Sequence, residues 1–392
     1  MTTCFNFRIF FRLFYLSFFR WKDIPCRLTF KRILFLAGFF TIFPVFQLFN
    51  AACFLMDNIF FHEYKNVEIK TPVFIVGNPR SGTTLIHRAM AKDEERFFCF
   101  KTWEIIFPAI IQKKVLYFIG SIDRFMGSPF GSYIKRIESR LFNEYNKIHQ
   151  VGFFSPEEDD KLLLHIFSSL DLVWFFPFEE ADNFARFDQL VSPEDRKRTM
   201  TFYKDCIKRQ AYCKGSKKCF LSKAPGSSAK IGSLYEYFPG CKIVYMVRNP
   251  LEVVPSMINM TDHIWRSTVN LESGYPLQDQ TYETARFFYK YPLARFEDAP
   301  PGSNIIVNYE DLISAPGRTI QAVYQKSGLE ITQKYQKILD QEEKKAGAYK
   351  SGHLYSLEQL HITREQIVSD LQDVFDRFGF DTGEEKKDGS CN

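Results

Sequence analysis

Residues 77–84 read GNPRSGTT, a run that packs two glycines, a cation and three hydroxyl side chains into one turn. Such a turn suits an anionic ligand. Glycines let backbone N–H groups close around phosphate oxygens, and a helix that follows aims its N-terminus at the same charge. Asn78, Pro79, Arg80, Ser81, Gly82, Thr83 and Thr84 are therefore candidate phosphate ligands, with Arg80 as the cation. Nucleotide hydrolases carry a lysine at the position of Thr83, where it reaches the terminal phosphates of a Mg-bound triphosphate. Its absence argues against turnover of ATP or GTP. A second candidate anion site is RNPLEVVPS, where Ser256 stands two helical turns beyond Arg248, so both can converge on one phosphate. The same residues also fit a plain strand-to-helix turn capped by Asn249.

These side chains need a scaffold that brings them to one edge. The stretch 67–76, ending in VFIV, reads as a buried strand, and 85–92 continues with helical spacing, so the loop sits between strand and helix as a phosphate loop requires. Further strands are predicted at 97–101, 218–222, 242–247 (KIVYMV) and 304–308 (NIIVN), with a largely helical stretch over 108–220 broken by FFSPEEDD and VWFFPFEE. A helix is expected over 316–327, and a last one from Thr363, with Gln366 at its third position, to Phe378. Strands alternating with helices imply an α/β fold with a central parallel sheet. Arg248 would then lie at the carboxyl end of a strand, the edge where open parallel sheets bind ligands.

Composition sets the remaining bounds. Net charge is +5 across 392 residues, too mild to indicate a nucleic-acid partner. The 9 cysteines lack the paired spacing of a zinc site, and their odd number favours free thiols; no metal is expected. Many of the 43 phenylalanines crowd into the first sixty or so positions. There Arg8, Arg12 and Arg20 share one face of an aromatic helix, as in a segment lying on a membrane surface. Residues 33–56 carry no charge and are long enough to cross a bilayer, but Pro44, Gln47 and Asn50 would kink the span and put amides in lipid. A kinked, monotopic insertion fits better, with a hydrophobic hairpin packed on the globular part as the alternative. The expected organisation is a membrane-association segment over 1–64, a catalytic domain over 65–381 and a disordered tail over 382–392.

GNPRSGTTL and RNPLEVVPS, in this order and these strand contexts, resemble the sulfotransferase superfamily, whose loops hold the 5'-phosphosulfate and the 3'-phosphate of 3'-phosphoadenosine 5'-phosphosulfate. WEIIFP, SPEEDD and YKSGHLYSLEQL are similar to segments of bacterial-type members associated with membranes. The resemblance implies the nucleotide-kinase-like fold of that family, this donor and a metal-independent transfer to a hydroxyl or amine. It places Glu104 as general base, Arg80 on the transferred group and Lys223 at the leaving 5'-phosphate. It also places Lys350, Ser351 and Gly352 in a late segment that closes on the nucleotide. Tyr309 either contacts the nucleotide or is a core residue. Glu157, Glu158 and Asp159 are candidates for binding the acceptor or for replacing Glu104 as base, although carboxylates after Ser155 and Pro156 also open helices. Where many relatives continue KSP with a histidine soon after, this chain reads KAPGSSAKI, which leaves acceptor contacts there open. His87 has no partner visible in sequence and reads as structural.

Two rival readings remain: a P-loop nucleotide kinase or hydrolase, and a catalytically silent nucleotide-binding membrane protein. The first needs an acidic metal ligand after a buried strand, where Arg248 stands instead. The second conflicts with the joint presence of Glu104, Arg80 and Lys223. Expected partners are a lipid, glycan or small-molecule acceptor and a membrane surface. Because this donor is made in the cytosol, the domain is expected to face it. Basic residues ahead of Ile33 would put the domain of a single-crossing protein on the other side, a further reason to favour monotopic insertion.

Overall fold

The computed structural model describes residues 4–23, 28–141, 152–269, 277–346 and 360–383. Five strands, β1 (Val73–Gly77), β2 (Phe97–Phe98), β3 (Cys219–Lys223), β4 (Lys242–Val247) and β5 (Asn304–Asn308), form one parallel sheet in the order β2-β3-β1-β4-β5. The helices in chain order begin with α1 (Phe7–Phe19), α2 (Phe30–Phe60), α3 (Thr83–Met90), α4 (Thr102–Ile106), α5 (Ile110–Phe125) and α6 (Pro129–Leu141). After them come α7 (Glu179–Asp182), α8 (Phe187–Leu190), α9 (Pro193–Lys214), α10 (Ile231–Tyr237), α11 (Pro250–Thr268) and α12 (Gln278–Glu297). The last five are α13 (Tyr309–Ser314), α14 (Pro316–Ser327), α15 (Gln333–Ala346), α16 (Arg364–Asp370) and α17 (Gln372–Phe378).

β1 is buried along its whole length because helices cover both faces of a parallel sheet. Its side chains alternate: Val73 and Ile75 enter one core with Val244 and Leu221, while Phe74 and Val76 enter the larger one with Tyr245 and Val247. The sheet grows in opposite directions from β1, through β3 and β2 on one side and β4 and β5 on the other. This divergence opens a crevice at the carboxyl end of β1, just where the glycine loop begins.

Several expected boundaries shift. β1 starts at Val73 rather than at residue 67, because Pro72 cannot donate and Thr71 takes a left-handed φ of 35°. The stretch 152–192 forms short 3-10 turns and the small helices α7 and α8 instead of long helices, since its carboxylates are drawn outward to partners on β3 and α9. The C-terminal helix breaks at Leu371 into α16 and α17, with Thr363 capping the first through its side chain. The predicted tail, from residue 384 on, lies outside the described residues.

The hydrophobic N-terminal segment packs on the domain. Phe10, Leu13, Leu16 and Leu36 are buried in the same core as Phe74 and Val76. α2 is 31 residues long, about 46 Å at 1.5 Å per residue, and apolar enough by length and composition to cross a membrane. Both its ends, however, are tied to the domain. Near the start, Arg32 donates to the carbonyls of Thr268 and Phe175. Near the end, the Asp57 carboxylate accepts the N–H groups of Ile110 (2.8 Å) and Ile111 (2.9 Å) and pairs with Arg209 at 3.1 Å. Asn50, an amide that looked costly in lipid, is buried against protein: its Oδ1 accepts from Gln112 at 2.7 Å, and its Nδ2 lies 3.3 Å from His165 Nδ1.

Candidate active site

The loop between β1 and α3 has a shape only glycine allows at two points. Gly77 has a φ of +137° and a Cβ there would lie 2.4 Å from the Met246 carbonyl oxygen; Gly82, at +89°, would put one 2.7 Å from the Tyr309 ring. Arg80 also takes a positive φ, 72°, the backbone inversion that turns successive N–H groups inward in an anion nest. Ser228 of KAPGSSAKI supports the loop from below, its Oγ accepting the Gly77 N–H at 2.9 Å. Ser81 is wholly buried and bonds back to the Asn78 carbonyl at 2.6 Å, so of the loop hydroxyls it holds shape while Thr83 and Thr84 open α3. Asn78 donates to the Ala285 carbonyl at 3.3 Å, and its Oδ1 has no partner among the described residues.

The second predicted element meets the first. Arg80 Nε donates to Ser256 Oγ at 3.0 Å, and Arg248 donates to the Arg80 carbonyl at 3.1 Å. The Arg248 guanidinium lies 4.2 Å from the centre of the Tyr309 ring, the same ring that closes on Gly82. Arg248 also pairs with Glu252, while its Nε has no partner among the described residues. Asn249 caps α11 through Leu251 and holds the Asp381 carbonyl at 2.9 Å, fastening the C-terminal end of the described chain beside this loop. The plain-turn reading of RNP is met, since Asn249 does cap, and Arg248 and Ser256 both lie against Arg80.

Lys223 ends β3 level with Ile75 of β1, so it stands at the same sheet edge. Its ammonium is buried and pairs with Glu158 at 2.6 Å. The acidic run divides its labour. Glu157 binds Lys161 at 2.8 Å, Asp160 binds Lys230 at 2.6 Å, and Asp159 accepts the Lys223 N–H, the Ser222 hydroxyl and the Tyr203 hydroxyl. Burial raises the Asp159 carboxyl to about 6 although these donors oppose it. For Glu157 burial also opposes ionisation, but Lys161 and Lys223 together outweigh it and the carboxyl sits below its usual value.

Glu104 lies at the third position of α4, one turn past β2, where its Oε2 accepts the Lys101 N–H at 2.9 Å in a capping arrangement. The carboxylate is fully buried. Oε2 also accepts from Gln210 at 2.8 Å, and Oε1 from Tyr117 at 3.0 Å and Lys214 at 2.8 Å. Burial works against its charge, yet Lys214 and Lys113 prevail and hold its pKa below the ordinary value. His87, on the buried face of α3, carries two ring nitrogens with no hydrogen bond among the described residues, and burial followed by the charge of Lys223 lowers it to about 3. Ser228 and His87 were not singled out as functional from sequence. The hydroxyls after β3 were a usable signal for Ser228, whereas the placement of His87 near Lys223 depends on tertiary packing. Lys350, Ser351 and Gly352 lie outside the described residues.

Comparisons with known proteins bear on this arrangement. The family model described as Sulfotransferase family matches residues 72–126 and 155–333. The chain is similar to omega-hydroxy-beta-dihydromenaquinone-9 sulfotransferase Stf3 of Mycobacterium bovis, with 25% identity over 79% of this chain and 75% of the relative. The Stf3 protein of Mycobacterium tuberculosis matches to the same extent. In three dimensions it is similar to sulfotransferase STF1 of Mycobacterium tuberculosis H37Rv, with a TM-score of 0.70 and 16% identity over 95% of this chain and 93% of that one. It is also similar to STF9 of Mycobacterium avium, with a TM-score of 0.67 and 16% identity over 84% and 82% of the two chains. At these identities the structural likeness concerns the fold.

Proposed function

The chain belongs to the sulfotransferase family, and from that membership we propose that it moves a sulfuryl group from 3'-phosphoadenosine 5'-phosphosulfate to a hydroxyl of a membrane lipid. The observation that carries the donor assignment is the convergence of Arg80, Arg248 and Ser256. A triphosphate has no use for a second cation and hydroxyl beside the loop, whereas a nucleotide phosphorylated at both ends of its ribose has. The residues fit the donor: two glycine positions without room for a Cβ, and a buried Arg248 Nε donor that lacks a partner among the described residues. Asn78, Pro79, Arg80, Ser81, Gly82, Thr83 and Thr84 would hold the 5' end, Arg248 and Ser256 the 3'-phosphate, with Tyr309 beside them. Lys350, Ser351 and Gly352 are proposed to complete that end.

The donor supplies a sulfur whose bond to the 5'-phosphate oxygen breaks as the acceptor oxygen bonds to it. Arg80 stabilises the transferred group and Lys223 the charge left on the phosphate, both at the carboxyl edge of the sheet. For the base, the sequence left Glu104 and residues 157–159 open. Glu104 has four donors on its two oxygens, which favours a part in positioning α4. Glu158 touches Lys223 and keeps a side chain 22% exposed. When Lys223 turns to a phosphate, Glu158 exchanges that close pair for the longer one with Lys161, at 3.7 Å, and its carboxylate can take the acceptor's proton.

A lipid acceptor is suggested by the relative that acts on a dihydromenaquinone and by the N-terminal helices. Arg32 and Asp57, which tie both ends of α2 to the domain, support monotopic attachment, and the cytosolic face is proposed because the donor is made in the cytosol. Calorimetry of 3'-phosphoadenosine 5'-phosphate against Mg-ATP tests the donor, and preferential ATP binding would overturn it. Incubation of lipid extracts with labelled donor tests the acceptor class; label found only in water-soluble products would exclude a lipid.

A further inference from the structure

Beyond residue 60, the described surface exposes twelve large hydrophobic side chains, and nine of them lie between Val115 and Tyr133. They belong to α5 and α6, elements that the sequence pattern gave no reason to place in a membrane. α5 is anchored by its first turn, where Ile110, Gln112 and Lys113 are buried and Asp57 of α2 caps it. Beyond Lys113, only Asp123 of this helix is buried. Val115, Phe118, Ile119, Ile122 and Phe125 are all exposed, Phe125 to 93%. From Val115 to Phe125, about 15 Å along the helix axis, these residues recur at three- and four-residue spacings and form one exposed apolar stripe, and such a stripe is normally covered by protein or lipid.

Its tip is finished internally. Asp123 accepts the N–H groups of Phe130 and Gly131 at 2.8 and 2.9 Å, and the N–H groups of Met126, Gly127 and Ser128 all find carbonyls within residues 122–124. A turn with its donors satisfied this way enters an apolar medium at low cost, whereas an open turn does not. The exposed charged side chains between residues 114 and 133 are Lys114 and Arg124, both basic and suited to anionic headgroups. Lys114 lies over the Phe61 ring just past α2, and α2 packs on α5, so the arm is continuous with the apolar surface of α2 at Leu55, Ile59 and Phe60.

We infer that the α5–α6 arm is a second membrane-contacting element, which inserts its apolar tip among the acyl chains of an anionic bilayer beside α2. The inference rests on the membrane reading of α2 given above. Its base lies at the candidate site: Tyr117 of α5 donates to Glu104. The arm therefore links the edge of the sheet to the bilayer that would hold a lipid acceptor.

The test uses the full chain bound to vesicles of phosphatidylcholine and phosphatidylglycerol with brominated acyl chains, which quench nearby tryptophan. One tryptophan is added at a time, as Ile42→Trp on α2, Phe125→Trp or Phe118→Trp on the arm, or Leu190→Trp as an exposed position elsewhere. The added emission is read as the difference from the parent protein. Loss of most of that emission at 125 and 118, with none at 190, is expected. Quenching at 42 but not at 125 or 118 overturns the arm while leaving the membrane reading of α2 in place, and quenching at none of these positions removes both. Emission at 125 that is shielded without vesicles and tracks formation of a two-chain species would assign the arm to a second copy of the chain and overturn the proposal.

Discussion

Arg80 and Ser256, separated by 176 positions in the chain, share a 3.0 Å hydrogen bond that joins the loop after β1 to the helix after β4. The two candidate anion-binding elements are thereby one surface. Ser256→Ala should weaken 3'-phosphoadenosine 5'-phosphate by a factor on the order of 10, the value of one hydrogen bond to a charged group. Arg80→Ala should cost turnover by about 100-fold or more. In a double-mutant cycle the two should couple, and strict additivity in calorimetry would separate the elements again.

Glu158→Gln and Glu104→Gln distinguish the two carboxylates. If Glu158 is the base, its amide variant loses roughly 100-fold or more in turnover with little change in thermal midpoint. Glu104→Gln leaves Lys214 and Tyr117 facing an amide, so its first effect is on stability, on the order of 3 kcal/mol, while the folded fraction stays active. The reverse pattern returns the base to Glu104.

Gly82→Ala should abolish nucleotide binding. The new methyl group would meet the Tyr309 ring at 2.7 Å at a φ of +89°. Adding Tyr309→Ala makes room without relieving the backbone, so only part of the affinity should return. Full recovery in the double variant would show that the ring contact alone was responsible.

The buried neutral form of His87 gives acid sensitivity of a definite sign. Its folded pKa, about 3, is below the ordinary 6.5, so the unfolded chain binds the proton first and stability falls as pH drops below 6.5 toward 3. Asp159, raised to about 6, acts oppositely, binding its proton in the fold and losing stability as pH rises from 3.8 to 6. Comparing wild type with His87→Gln isolates the imidazole: between pH 7 and pH 5 the wild type should lose about 2 kcal/mol more. Parallel denaturation midpoints across that range would show that His87 titrates normally.

Asp57→Asn should loosen the N-terminal helices from the domain. The change removes the charge that pairs with the buried Arg209 and weakens the cap of α5. A loss of about 3 to 5 kcal/mol is expected, with faster hydrogen exchange in α5 as its local readout. Unchanged exchange there would mean that packing alone holds the two helices.

Parts of the molecule are legible in local sequence. KIVYMV and NIIVN match β4 and β5 to the residue because β-branched and aromatic side chains run uninterrupted between turns. The span of α14 is legible through Pro316 at its first turn and Gly328 at its end. The order of loop, strand and RNP motif placed Arg80, Lys223 and Arg248 at one edge. What escaped is what tertiary packing decides. Ser228 under Gly77 is an ordinary serine until two strands are brought together. Asn50 reads as an amide misplaced in lipid until Gln112, 62 positions on, meets it. The exposed face of α5 escaped for the opposite reason: its apolar residues have helical spacing, and spacing alone does not say whether a protein or a bilayer covers them.

The ties on α2 impose an order on the birth of the protein. Arg32 finds its acceptor at Thr268, 236 residues later, which is roughly 12 to 47 s of synthesis. Through that interval the first helices emerge with their apolar faces formed and their docking surface not yet made. A nascent chain so composed needs cover before it has a fold, and the bilayer or a holding chaperone must provide it until α11 appears. The N-terminal helices are thus made well before α11 and settle only once it is there.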